Sequence, residues 1–285
     1  MRVRRAEEAG ACYGVQRALN IAESIAQKDT TAYTLGPLIH NPSVVESLEA
    51  KNVLVAQSVE DIAPGETVVI RSHGVTPDVR QAALDKGLVV RDATCPHVAR
   101  AQKAAENLAK AGCQVIVVGE AGHPEVAGLE AYARKYTEAV DVVGSVEDIP
   151  SITKEKVGVV VQTTQTRELL DSVVAALQER GFDPVVKDTV CLATKQRQQA
   201  ALVVAQKVDA MVVIGGRNSS NTTRLAEICQ SVCDRTYHIE SVDEIDPAWF
   251  QDCSVVGVTA GASTPEYQIR AAEEFLAKLP EASRE

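Results

Sequence analysis

The chain has 285 residues, 45% of them apolar, which is more than one ordinary domain needs and enough for a sizeable core, and no apolar run reaches bilayer-crossing length. Its 29 basic and 39 acidic residues leave a formal charge of −10 with the basic residues scattered, which argues against nucleic acid or an anionic membrane as partner. No apolar stretch follows the charged N-terminus "MRVRRAEEAGACYG" and the seven cysteines form no small-scaffold pattern, so a reducing, cytoplasmic setting is expected rather than a secreted one.

After a short strand at "RVRR", a cysteine stands at the mouth of a helical pattern, "GACYGVQRALNIAESIA". A strand with a polar loop follows, "AYTLGPLIHNPSVVESL", then a second, "ETVVIRSHGVTPDVRQAAL", and a closing strand, "LVVR". The succession returns as "ATCPHVARAQKAAENLA", "CQVIVVGEAGHPEVAGLE" and "KVGVVVQTTQTRELLDSVV", closing on "PVVK", and again as "TVCLATKQRQQAALVVA", "AMVVIGGRNSSNTTRLAE" and "CSVVGVTAGASTPEYQIRAA". Each repeat reads helix, strand, helix, short strand, strand, helix, strand, an alternation that predicts parallel α/β layers. The third lacks its closing strand, which "RVRR" is expected to supply. The expected architecture is therefore three similar α/β units with small parallel sheets, closed into a ring. Its units span 13–95, 96–190 and 191–285, the last completed by the N-terminal strand in 1–12.

Cys12, Cys95 and Cys191 open the three leading helices, and 28 residues after each stand His40, His123 and Ser219. The offsets to the second loops, which carry His73, Thr163 with Thr164, and Ser263, drift through 61, 68 and 72, as surface connections of variable length do. Equivalent positions of three units closed into a ring face one axis, so the three thiols are expected at one centre. A helix start favours the thiolate, and Pro96 suits the first helical position in the second repeat. Structural zinc wants four ligands in short-spaced pairs, and no C-x-x-C occurs here, whereas an iron–sulfur cluster can recruit ligands from distant parts of a fold. Three ligands on a 4Fe-4S cluster leave one iron open, able to act as a Lewis acid and to pass electrons. Cys229 and Cys233, on one helix face, and Cys113 and Cys253, opening strands, do not recur between repeats and read as packing.

The loops present His40, Asn41, His73, His123, Thr163, Thr164, Ser219, Ser220, Asn221 and Ser263. Singly, such residues cap helices or serve the core. Converging, they form a cradle for phosphate oxygens, with partly protonated histidines adding charge. No Walker loop, G-x-G-x-x-G or nucleophile elbow is present. Glu125, the one carboxylate in these loops, reads either as a first-turn glutamate favoured by the helix dipole or as a proton donor beside a reducible centre.

Together "GACYGV", "LIHNPSVV", "RSHGV", "ATCPHV", "GHPEVAGL", "VQTT", "VCLATKQRQ", "RNSSNTTRLAE" and "TAGAS" closely resemble the hydroxymethylbutenyl diphosphate reductases over nearly the whole chain. The resemblance implies an α/β trefoil of the three similar units around a central iron–sulfur site, with one 4Fe-4S cluster per chain on Cys12, Cys95 and Cys191. It implies a diphosphate site of His40, His73, His123, Ser219, Ser220, Asn221 and Ser263, with Thr163 near the substrate hydroxyl and Glu125 supplying protons. The implied reaction is reductive dehydroxylation of 4-hydroxy-3-methylbut-2-enyl diphosphate to isopentenyl and dimethylallyl diphosphates, fed by an electron donor such as ferredoxin or flavodoxin. Ala11, where the family usually has an aromatic residue, and His97 depart from its pattern beside cluster ligands, where they are expected to affect potential or solvent access. The appended RNA-binding domain of some relatives is not expected. Two competing readings are a non-redox iron–sulfur lyase, such as a hydro-lyase or a protein like quinolinate synthase, and a thiol-based redox or metal-binding protein.

Overall fold

The computed structural model describes residues 1–27 and 31–280. Within them three four-stranded sheets form, every strand pair parallel, and all three share one strand order.

The chain begins with β1 (Arg2–Arg5) and α1 (Tyr13–Ala26), and continues through β2 (Ala32–Leu35), α2 (Pro42–Glu49), β3 (Val53–Ala56), β4 (Thr67–Ile70), α3 (Pro77–Asp85) and β5 (Val89–Asp92). The second repeat comprises α4 (Pro96–Lys110), β6 (Gln114–Val118), α5 (Pro124–Arg134), β7 (Val140–Val143), β8 (Val157–Val161), α6 (Arg167–Glu179) and β9 (Val185–Lys187). The third comprises α7 (Leu192–Ala205), β10 (Ala210–Ile214), α8 (Ser220–Gln230), β11 (Thr236–Ile239), β12 (Val255–Ala260) and α9 (Glu266–Lys278). The sheet orders are β3-β2-β4-β5, β7-β6-β8-β9 and β11-β10-β12-β1, the last with Arg2 to Arg5 paired against Val255 to Val258.

The chain divides into two compact units. The smaller takes Met1–Tyr13, His40–Pro42 and Leu192–Glu285 and contains the third sheet; the larger takes Gly14–Ile39 and Ser43–Cys191 and contains the other two.

The central strands β6 "QVIVV", β8 "VGVVV" and β10 "AMVVI" are buried along their whole length, which explains why they read as unbroken apolar runs rather than alternating ones. Each such Val or Ile contributes about 1.5 to 3 kcal/mol on full burial. Helix α4 buries Val98, Ala101, Ala105, Leu108 and Ala109 at helical spacing, and the four from Ala101 onward cluster with Val126, Leu129 and Ala133 of α5. Helix starts are marked as their sequences demand: Thr76, Thr166 and Ser219 cap α3, α6 and α8 through their hydroxyls, and Pro77, Pro96 and Pro124 occupy first positions. No helix among the described residues is long and apolar enough to cross a membrane.

Candidate functional site

In every sheet the chain steps outward from one central strand and crosses back to the other; it then steps outward again in the first two sheets, while in the third β1 takes the outer place beside β12. The loops leaving β2 and β4, β6 and β8, and β10 and β12 therefore diverge at the carboxyl ends of the strands, the place where open parallel sheets make crevices. The candidate residues lie on these six loops. His40 and Asn41 follow β2, His73 follows β4, His123 and Glu125 follow β6, Thr163 and Thr164 follow β8, Ser219 to Asn221 follow β10 and Ser263 follows β12. Matching backbone bonds join the paired loops: Ser72 N–H donates to Leu38 O (3.2 Å), Gln162 N–H to Val118 O (2.8 Å) and Gly261 N–H to Ile214 O (2.9 Å).

In the larger unit, His123 caps α5 and its Nδ1 accepts the Glu125 N–H at 3.1 Å. A ring nitrogen that accepts carries no proton, so neutral His123 has its proton on Nε2. Its ring meets that of His73 edge to face at 5.5 Å. Burial, reinforced by the positive charge of Arg71, pulls its pKa down to about 4, so His123 is neutral at physiological pH.

Glu125 is only 2% exposed, in the first turn of α5. Its Oε1 accepts the Thr163 N–H at 2.7 Å and its Oε2 accepts the Thr163 hydroxyl at 2.9 Å. Burial pushes its pKa up to about 7 against these two bonds, which favour the carboxylate. A surface glutamate serving a helix dipole has neither property. Thr163 O in turn accepts the Cys191 N–H at 3.0 Å, so one threonine joins the acid to the backbone of a candidate ligand.

In the smaller unit, the Ser263 hydroxyl donates to His40 O at 3.1 Å, and Asn41 Nδ2 donates to Ser263 O and Gln268 Oε1, each at 3.0 Å. His40 O also comes so near Gly216 that a Cβ there would sit 2.6 Å away, which is why a glycine opens this loop. Ser219 caps α8 by accepting the Thr222 N–H, and Ser220 and Asn221 are buried in its first turn. Asn221 is 4% exposed, and neither its amide nitrogen nor its oxygen has a hydrogen-bond partner among the described residues. A buried primary amide at a helix N-terminus with nothing bound is costly, and a polar ligand would satisfy it.

The cysteines fall into two classes. Cys12, Cys95 and Cys191 are half-buried, whereas Cys113, Cys229, Cys233 and Cys253 are buried. Burial pushes the Cys229 thiol up to about 12 and raises that of Cys253, which holds them protonated. Cys233 lies just beyond α8 rather than on its face, its N–H on Cys229 O at 2.9 Å. Each half-buried cysteine is fixed alike, its N–H donating to a loop carbonyl past a strand end: Cys12 to Ala262 (3.1 Å), Cys95 to Ser72 (2.9 Å) and Cys191 to Thr163 (3.0 Å). Three accessible, unoxidised thiols in one repeated setting fit an iron–sulfur donor set.

Two residues of the larger unit were not among the sequence-derived candidates. Arg71 lowers the His123 pKa, and fully buried Gln162 accepts the Glu120 N–H at 2.9 Å, bracing the loop before His123. Both stand inside conspicuous motifs, "RSHGV" and "VQTT", next to residues that drew the attention instead.

Residues 3–277 match the LytB protein family. Curated relatives named 4-hydroxy-3-methylbut-2-enyl diphosphate reductase include one from Trichlorobacter lovleyi, 49% identical over 94% of this chain and 95% of its own, and one from Geobacter metallireducens, 47% identical over 94% of both. A third, from Pelobacter propionicus, is 45% identical over 100% of this chain and 99% of its own. Among solved structures, the chain is similar to one described as the (E)-4-hydroxy-3-methyl-but-2-enyl diphosphate reductase, the terminal enzyme of the non-mevalonate pathway, with a TM-score of 0.71, 41% identity and coverage of 98% and 100%. It is also similar to the Plasmodium falciparum reductase, with a TM-score of 0.90, 25% identity and coverage of 98% and 89%.

Proposed function

We propose, because the chain belongs to the LytB protein family, that it carries out the reaction its relatives are named for. It is an oxidoreductase that takes 4-hydroxy-3-methylbut-2-enyl diphosphate, breaks the allylic C–O bond with two electrons and two protons, and releases water with isopentenyl or dimethylallyl diphosphate. One proton completes the water and the other reaches the allylic carbon.

Cys12, Cys95 and Cys191 hold the iron–sulfur group, one 4Fe-4S cluster per chain, which when bound supplies the electrons and a Lewis-acidic iron without a protein ligand. The electrons come from a small one-electron carrier such as ferredoxin or flavodoxin. Glu125 holds the proton for the departing hydroxyl. With a pKa of about 7 it is substantially protonated at neutrality; the Thr163 hydroxyl, which donates to Oε2 when Glu125 is a carboxylate, turns to accept from the protonated Oε2 and passes its own proton onward to the leaving oxygen. The observation that carries this reading is Thr163 itself, bonded through N–H and hydroxyl to a buried acid and through its carbonyl to the Cys191 backbone.

His40, His73, His123, Ser219, Ser220, Asn221 and Ser263 bind the diphosphate. Support comes from the buried Asn221 amide at the start of α8, which has no partner among the described residues, and from the placement of His123 at the start of α5, its Nδ1 accepting the Glu125 N–H.

The test is anaerobic purification with iron and sulfide counted, then assay with the allylic diphosphate and a strong one-electron reductant. Product should form only when reductant is present. Turnover by oxidised protein without reductant would replace this reading with a lyase.

A further inference from the structure

Six residues after the leading cysteines stand Ala18, Ala101 and Arg197, equivalent positions on α1, α4 and α7. The two alanines are 0% exposed, and Arg197 is 4% exposed. Two repeats thus use this point of the helix for small apolar packing, and the third places a guanidinium there. Packing alone does not ask for it, and a buried cation is costly to desolvate.

Within the smaller unit, Arg197 Nη2 donates to Gly10 O at 2.8 Å and Nη1 donates to Ala193 O at 3.2 Å. Gly10 is two residues before Cys12, and Ala193 is in the first turn of the helix that begins directly after Cys191. The fork therefore ties the segment leading into one ligand to Arg197's own helix α7, which starts beside another, using the fixed donor geometry lysine lacks.

We propose that Arg197 is a positioning residue that anchors the Cys12 segment and supplies a buried positive charge to the iron–sulfur group. This rests on the cluster assignment made above. Thiolate ligation makes the bound group anionic, and a fixed cation stabilises its reduced form more than its oxidised form because the reduced form carries one more negative charge. The carbonyl dipoles of Gly10 and Ala193 hold the guanidinium in place for that role.

Arg197→Ala installs the residue the other two repeats use, and Arg197→Lys keeps the charge without the fork. All forms are reconstituted anaerobically and followed by iron content, by iron loss to a chelator, and by redox titration of the visible absorbance and the electron paramagnetic resonance of the reduced cluster. The alanine variant should lose iron several-fold faster. At a fixed solution potential its ratio of reduced to oxidised cluster should fall about tenfold, the factor that 59 mV represents for one electron. The lysine variant should keep a near-parental ratio but lose iron faster. If the alanine variant does not fold, as judged by circular dichroism of the apo chain, Arg197→Gln carries the same test because it retains a donor for Gly10 O.

Parental potential and parental iron loss in the charge-removed variant overturn the proposal, as does a lysine variant whose potential moves as far as that of alanine. Failure of the parent chain to take up a cluster would instead overturn the assignment of the three cysteines.

Discussion

Glu125 and Asn221 occupy the same place in two repeats, each thirty residues after its leading cysteine and each buried in the first turn of a helix. Their surroundings make them opposites. Glu125 faces Thr163, whose N–H and hydroxyl satisfy both carboxylate oxygens. In the third repeat the residue that accepts from the next cysteine's N–H is Ala262, which has no hydroxyl, and Asn221 has no partner among the described residues. One backbone frame thus yields an internally satisfied acid suited to storing a proton and an unsatisfied amide suited to meeting a ligand. In repeat proteins of this kind, chemistry is set by which neighbour a loop position finds, not by the position alone.

The largest effect tests the frame both loops share. Cys95→Ser and Cys191→Ser, like Cys12→Ser, should lose most iron and visible absorbance and hence activity, while Cys113→Ser and Cys253→Ser retain both. A full cluster in any of the first three would break the equivalence of the repeats.

Next is the acid side. Glu125→Gln removes the transferable proton but keeps a hydrogen-bonding side chain, so at matched iron content the maximal rate should fall by about 100-fold or more. A rate within about threefold of the parent would return Glu125 to a purely structural role. Thr163→Val should approach the same loss, and Thr163→Ser should recover most of it, because only the hydroxyl links the acid onward.

The amide side should respond in binding rather than rate. Asn221→Ala should weaken inorganic diphosphate and substrate by about tenfold to 100-fold, the equivalent of about 1.5 to 3 kcal/mol for a hydrogen bond to a charged group. Apo-chain stability should move by no more than about 1 kcal/mol, since no hydrogen bond is broken. Large thermal destabilisation of the apo variant with unchanged diphosphate binding would show that Asn221 serves packing.

A pH dependence of stability is the effect that only the acid side should show. Burial raises Glu125 from 4.5 to about 7, so the fold favours its protonated form. Its contribution to apo stability is complete below about pH 4.5 and is lost as pH rises through about 7. Melting of the apo Glu125→Gln variant should therefore gain on the parent as pH rises from about 5 to 8, by on the order of 3 kcal/mol. Asn221→Ala, which changes no titrating group, should track the parent across that range. A parallel pH course for the Gln variant would mean that Glu125 is charged at neutrality.

Much of this molecule was legible in one dimension. The 28-residue spacing from Cys12, Cys95 and Cys191 to His40, His123 and Ser219 placed the loops, and the runs "QVIVV", "VGVVV" and "AMVVI" placed the buried strands, because periodicity and spacing are properties of the chain itself. Arg197 also left a trace, an arginine where two aligned repeats have alanine, although the motif "VCLATKQRQ" drew notice to its cysteine. The sequence by itself determined the α/β alternation, the repeat and the set of chemically able side chains. Only the tertiary structure decided that Glu125 meets Thr163, 38 residues away, that burial lowers the His123 pKa, that Asn221 has no partner among the described residues and that Arg197 lies inside. Those outcomes depend on desolvation and on contacts between segments far apart in the chain, and neither quantity exists until the loops at the strand ends have been brought together.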